Sequence, residues 1–186
     1  MFFTTAELRA MDAALTDPAK FPDAQLDAMR ELVEQSLEDA CDVAFEPRES
    51  VGAFSGDGSR MLALGVHRLR SVTAVVDDGQ ALDLAGVKGI GRLVWRYDGW
   101  PWGVANLTVT YSHGYDAPPL RVKRAALILA KVWLLEGPVD VRATQVSAGD
   151  GSTINLATPG VLGSTFGVPE VDAVVRHYRV PDARLT

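Results

Sequence analysis

The chain has 186 residues, 47% of them hydrophobic and 23% charged, values of a soluble globular protein of one domain or one domain with an appendage. Its net charge of −6 and pI near 5 exclude an ordinary nucleic-acid binder, because such a surface repels phosphates. One cysteine, Cys41, excludes an internal disulfide and a multi-cysteine zinc site.

Thr4 opens the pattern T-x-x-E with Glu7, a capping box, and Leu8, Met11 and Leu15 follow on one face. A helix is therefore expected over 4–15, ending before Pro18. Leu26, Met29, Val33, Leu37, Ala40, Cys41 and Ala44 advance by three or four and predict a second helix over 23–44. Cys41 reads as a small core residue, and Glu31, Glu34, Glu38, Asp39 and Asp42 as a solvated acidic face. Pro47 closes the segment.

From 50 to 111 the period becomes strand-like. The runs RMLAL, SVTAVV, LVWRY and LTVTY are rich in β-branched and aromatic residues, which predicts an antiparallel sheet of four or five short strands. VVDDGQALDL reads as a hairpin turning at Asp78-Gly79, and YDGWPWG as another turn, with Trp100 and Trp102 flanking Pro101. Next, Asp116 is expected to cap and Pro118 and Pro119 to open a buried helix over 119–136, stopped by Gly137-Pro138. Its apolar run from Ala125 to Leu135 is broken by Lys131 and falls short of the roughly 18 residues of a membrane span. The N-terminus lacks the pattern of a signal peptide, so the expectation is a soluble protein made in a cytosol, with no membrane partner. The remainder, 144–186, reads as a glycine-rich extended arm closed by a short helix at about 169–179, with Val171, Val174, Val175 and Tyr178 as its stripe. The fold class expected is α+β: a mainly helical core with a small antiparallel sheet inserted between helices two and three. Residues 1–143 form the core domain and 144–186 the arm.

No spacing in the sequence calls for a metal or a cofactor. His67, His113 and His177 lie in three segments without an H-E-x-x-H pattern. GVKGIG has the order G-x-x-G-x-G and leads no helix, so it does not cradle phosphate. GDGS, at Gly56 and again at Gly149, lacks the carboxylates of a calcium loop. Ser112, His113, Tyr115 and Asp116 crowd one turn, yet neighbours on a tight turn point apart, and no G-x-S-x-G elbow is present. That turn reads as a hinge and cap: Gly114 allows it, Asp116 caps, Tyr115 packs. Trp100 and Trp102 are the exposed interface candidates, on bases or sugars or, given the acidic charge, on a protein.

The strand, HGYD, prolines and the apolar helix VKRAALILAKVWLLEG together resemble the corresponding segment of head–tail adaptor proteins of long-tailed double-stranded DNA phages and related prophages. LRSVTAVVDDGQAL, GRLVWRYDGWPWGVANLTVTY and the closing GVPEVDAVVRHYR follow in matching order, so the likeness covers nearly the whole chain. It implies a structural, non-enzymatic virion protein: a homo-oligomeric ring, commonly twelve-fold, beneath the portal protein at the neck, assembled in the host cytoplasm. The ring lengthens the channel through which packaged DNA passes and seats the stopper and tail. On this resemblance the helices 23–44 and 119–136 form the subunit core and ring contacts, the arm reaches the portal or a neighbouring subunit, and its Val171/Val174/Val175/Tyr178 stripe anchors in a groove. An acidic lumen keeps phosphates from sticking, which makes Glu31, Glu34 and Glu38 lumen-facing candidates. The competing readings are a tail-completion or stopper protein of the same neck, a small cytosolic hydrolase using His113 and Asp116, and a nucleic-acid-binding module using Trp100 and Trp102.

Overall fold

A computed structural model of the chain describes residues 1–135, 145–147, 153–155 and 165–179. The fold is α+β, with a helical unit built from both ends of the chain, Met1–Asp42 and Pro118–Thr186, and a β unit, Val43–Ala117.

In the helical unit, α1 is Thr5–Arg9, and both bonds of the capping box form: the Glu7 N–H donates to Thr4 Oγ1 at 3.2 Å and the Thr4 N–H to Glu7 Oε2 at 2.9 Å. The single helix expected over 4–15 breaks, because Asp12 starts a new turn by accepting from the Ala14 N–H at 3.0 Å. A 3-10 turn then covers Ala13–Thr16. Arg9 holds the connection, donating to the carbonyls of Leu15 and Phe21 and to Asp23 at 2.7 Å. Helix α2, Asp23–Cys41, ends three residues before the expected 44 because Asp42 adopts a left-handed conformation, φ 53°, and turns the chain away.

Helix α3, Leu120–Leu135, and α4, Pro169–Tyr178, lie within a residue of their expected ends. The fully buried residues Leu26, Val33 and Leu37 of α2, Val122, Ala126 and Leu129 of α3 and Val171 of α4, with Leu8 of α1, form the core of this unit. Ion pairs cross its surface: Lys123 to Glu7 at 2.6 Å, Lys131 to Asp12 at 2.9 Å and Arg124 to Glu170 at 2.8 Å. Asp172 is buried because its carboxylate accepts from the Thr165 and Phe166 N–H groups, at 2.9 and 2.8 Å, fixing the chain's entry into α4. Strands β8, Gln145–Ser147, and β9, Thr153–Asn155, pair as a separate antiparallel hairpin. The rest of the glycine-rich stretch, 148–152 and 156–164, lies outside the described residues.

In the β unit seven strands make two antiparallel sheets, where four or five strands in one sheet were expected. The larger has the order β1 (Arg48–Gly56), β7 (Gly103–His113), β3 (Leu69–Asp77), β4 (Gln80–Ala81); the smaller has β2 (Met61–Ala63), β6 (Leu93–Trp95), β5 (Lys88–Ile90). Strand β7 is central because Leu107, Val109 and Tyr111 alternate onto the core face. They pack with Val75 of β3, Leu62 and Val94 of the smaller sheet, Leu64 and Trp100. The β3–β4 hairpin turns at Asp78-Gly79 as expected, with φ 44° and 88°, the two positive values of a type I′ turn.

Candidate functional site

The turn after β7 is organised around Gly114 and Tyr115. Gly114 has φ 100°, and a Cβ there would lie 2.3 Å from the Glu46 carbonyl, so only glycine lets the two backbones meet. The Tyr115 ring lies against Phe45, centroids 5.6 Å apart, stacks on His67 at 6.2 Å and has the Arg68 guanidinium 4.3 Å from its centroid. Asp116 does not cap α3. Its carboxylate pairs with Arg70, and the helical bonds begin at the Pro119 carbonyl, which accepts from the Lys123 N–H at 3.0 Å. Asp116 lies four residues before Leu120, too early for a cap.

Nor do His113 and Asp116 pair as the competing hydrolase reading requires. His113 Nε2 is 3.0 Å from Ser50 Oγ across the β1–β7 ladder, a partner 63 positions away that local sequence could not indicate. His67 is partly buried and its Nδ1 has no hydrogen-bond partner. Burial, then the charges of Arg92 and Arg68, hold its imidazole below the ordinary value. Among the described residues no three His, Cys, Asp or Glu side chains are placed to hold a metal ion.

The tryptophan pair separates. Trp100 is 2% exposed, its indole N–H donating to the Val94 carbonyl at 3.3 Å and its backbone N–H to the Ser59 carbonyl at 2.7 Å. The expectation that it is an exposed contact is corrected: it belongs to the core, since the buried indole N–H finds its acceptor there. Trp102 is 81% exposed and Val104 91%, two positions apart where the chain enters β7 at the end of the β1–β7 ladder, the tip of the larger sheet.

Asn106 sets that tip. It is 6% exposed; its Oδ1 accepts from the Gly56 N–H at 3.0 Å, and its Nδ2 donates to Asp77 Oδ1 at 2.7 Å and to the Pro101 carbonyl at 3.4 Å. Between the pairs Phe54↔Leu107 and Gly56↔Gly103 the register shifts, so three residues of β7 face one of β1. Ala105 takes φ 50° in this bulge, which re-aims the chain outward. Sequence reasoning missed Asn106, whose one signal was a polar residue at the head of the run NLTVTY.

The α4 stripe is not a free face. Val171 and Val175 are buried against helices of the same unit, as α4 packs on α2 and α3. Val174 and Tyr178 are half-buried and line a groove of about 390 Å³ between α3 and α4, with Arg121, Arg124, Ala173 and His177. Of the acidic candidates on α2, Glu31 is exposed and Glu38 half-buried. Glu34 instead accepts from the Phe2 N–H at 2.5 Å and lies 3.9 Å from Arg30 Nε. Cys41 is buried, and burial pushes its thiol up to about 12.

No protein-family model and no curated protein matches the chain. Solved structures share its fold. A chain in the neck of a native gene transfer agent (GTA) particle computed with C12 symmetry superposes with a TM-score of 0.61 at 15% identity, over 95% of this chain and 88% of that one. A chain in the neck of an empty GTA particle computed with C6 symmetry gives 0.61 at 16%, over 96% and 90%. A chain of the native GTA virion gives 0.61 at 17%, over 96% and 90%.

Proposed function

From this shared fold we propose that the chain is a structural neck protein of a phage-like particle: a head–tail adaptor whose copies close into a ring under the portal protein. The observation that carries the reading is the extent of the likeness. It runs over 95% or more of this chain, helical and β units together, in neck reconstructions of C12 and C6 symmetry. The ring extends the DNA channel, passes DNA without sequence-specific binding, and seats the stopper or tail-completion protein. The net charge of −6 fits a conduit that must not hold phosphates, with Glu31 and Glu38 as lumen candidates. The glycine-rich stretch ahead of α4, from about Thr144, acts as the arm that reaches the portal or a neighbouring subunit, while α4 itself is docked on α2 and α3. The protein works in the virion neck after assembly in the host cytoplasm. The role needs no reaction and no cofactor. The hydrolase alternative loses its orienting carboxylate, since Asp116 is committed to Arg70.

The test is native mass spectrometry of the purified chain over a concentration series, alone and with portal rings, supported by negative-stain images. Closed rings of about a dozen copies are expected, on the portal if not alone, because one small contact need not offset the entropy of association. Monomers in both samples would sink the adaptor reading.

A further inference from the structure

A closed ring needs a head-to-tail contact, in which one surface of a subunit meets a different, complementary surface of the next. The chain carries two such surfaces. The first is the β-unit tip, where Trp102 and Val104 stand 81% and 91% exposed. The tip is built rather than loose, since the buried Asn106 ties it to Gly56, Asp77 and Pro101. It is also acidic: Asp77 binds the Asn106 amide directly, the Asp78 N–H donates to the Asn106 carbonyl at 2.9 Å, and Asp57 follows Gly56. A rigid exposed tryptophan costs little entropy to dock and is the residue type most enriched at binding hot spots.

The second surface is the α3–α4 groove of the helical unit. Its apolar lining includes Ala173 and Val174, and Arg121, Arg124 and His177 stand at it. Arg124 pairs with Glu170, whereas Arg121 has no hydrogen-bond or ion-pair partner among the described residues. The volume of about 390 Å³ lies within the ~300–1,000 Å³ of sites that take whole small molecules, so one indole ring fits. An apolar, acid-flanked knob and an apolar hole with a spare arginine are complementary in shape and in charge.

We propose that Trp102 and Val104 of one copy dock in the α3–α4 groove of the next copy of this chain, with Arg121 facing the aspartates beside the tip. The contact rests on the ring reading and supplies its heterologous interface.

Full-length chains carrying Val104→Cys, Ala173→Cys or both are treated with a short bis-maleimide and resolved on a denaturing gel; the buried, weakly acidic Cys41 thiol does not compete. The double variant is expected to give a ladder of oligomers. A mixture of the two single variants should stop at dimer, and each single variant alone should stay monomeric. Adding Trp102→Ala to the double variant should lower the cross-linked yield about tenfold or more, the loss expected of a hot-spot residue. Arg121→Glu, on the solvent face of α3, should lower it too. Three results overturn the contact: no product from the double variant, dimers from Val104→Cys alone, which mean a two-fold tip-to-tip contact, or an internally bridged monomer, which means that the tip closes on its own groove. Rings of the unmodified chain together with an absent ladder would reject this contact and keep the adaptor reading. A ladder that never closes, from a chain that forms no ring with portal, would do the reverse.

Discussion

The helical unit and the β unit are stabilised in different ways. In the helical unit side chains do the work: fully buried Leu8, Leu26, Val33, Leu37, Val122 and Leu129 form the core, and ion pairs on separate helical segments lie over it. In the β unit the backbone does more. Strands as short as two or three residues are held in register by ladders, positive-φ turns and one buried amide, and large apolar side chains are left in solvent. A unit held by helix packing suits a scaffold, while one whose apolar core is backed by strand ladders and a buried amide can hold an apolar tip outward without collapsing around it.

The largest effect should come from breaking the helical core. Leu129 of α3 is fully buried, so Leu129→Ala removes buried methyl groups and leaves a cavity at a cost of about 2–5 kcal/mol. Urea denaturation would show it as a lowered midpoint, and hydrogen exchange should show α2, α3 and α4 losing protection together. Protection lost in α3 alone would mean that the helices are not one cooperative core.

The β unit should be more sensitive to a polar deletion than to its size. Asn106→Ala strands the Gly56 N–H and withdraws a donor from Asp77, and leaving such buried groups unpaired costs about 1–3 kcal/mol. Exchange should quicken at the β1–β7 end near Gly56. An unchanged β-unit exchange pattern would show that the ladders alone hold the tip.

How much of this was legible follows from the same contrast. Helices α2, α3 and α4 were readable because buried residues recur every three or four positions, and the Asp78-Gly79 turn because its residue types tolerate positive φ. Two strands of the smaller sheet were readable in RMLAL and LVWRY, but its third, Lys88–Ile90, is too short to show a period, and the division into two sheets arises only from non-local pairing. The break in α1, the burial of Trp100 and the Ser50–His113 pair share one cause: a single polar side chain or indole N–H finds its partner. Patterns of hydrophobicity do not register that. The same applies to the candidate site, where the α3–α4 groove and the Asn106 node join residues distant in sequence.

The smallest effect separates the units by pH. In the helical unit the hydrogen bond from Lys123, then the Thr4 backbone, holds the Glu7 carboxyl below its ordinary value of 4.5. The Ala14 N–H and Lys131 do the same for Asp12, ordinarily 3.8. Both depressed carboxyls contribute stability that is present above those values and lost as pH falls below them. In the β unit His67 is also depressed, by burial and then by Arg92 and Arg68, so between its folded value and about 6.5 the unfolded chain binds more protons than the folded one. Its contribution is therefore complete above about pH 6.5 and declines as pH falls. Lowering pH from 7.5 to 5.5 should reduce the protection factors around His67, Tyr115 and Gly114, each taken relative to the intrinsic exchange rate at that pH, while those of α2 and α3 hold and weaken only below about pH 4.5. His67→Phe keeps an aromatic ring beside Tyr115 but cannot bind a proton, so it should flatten the first decline and leave the second untouched. If the variant and the native chain weaken equally between 7.5 and 5.5, another group binds the proton, and the two units do not differ in the way their titrating groups indicate.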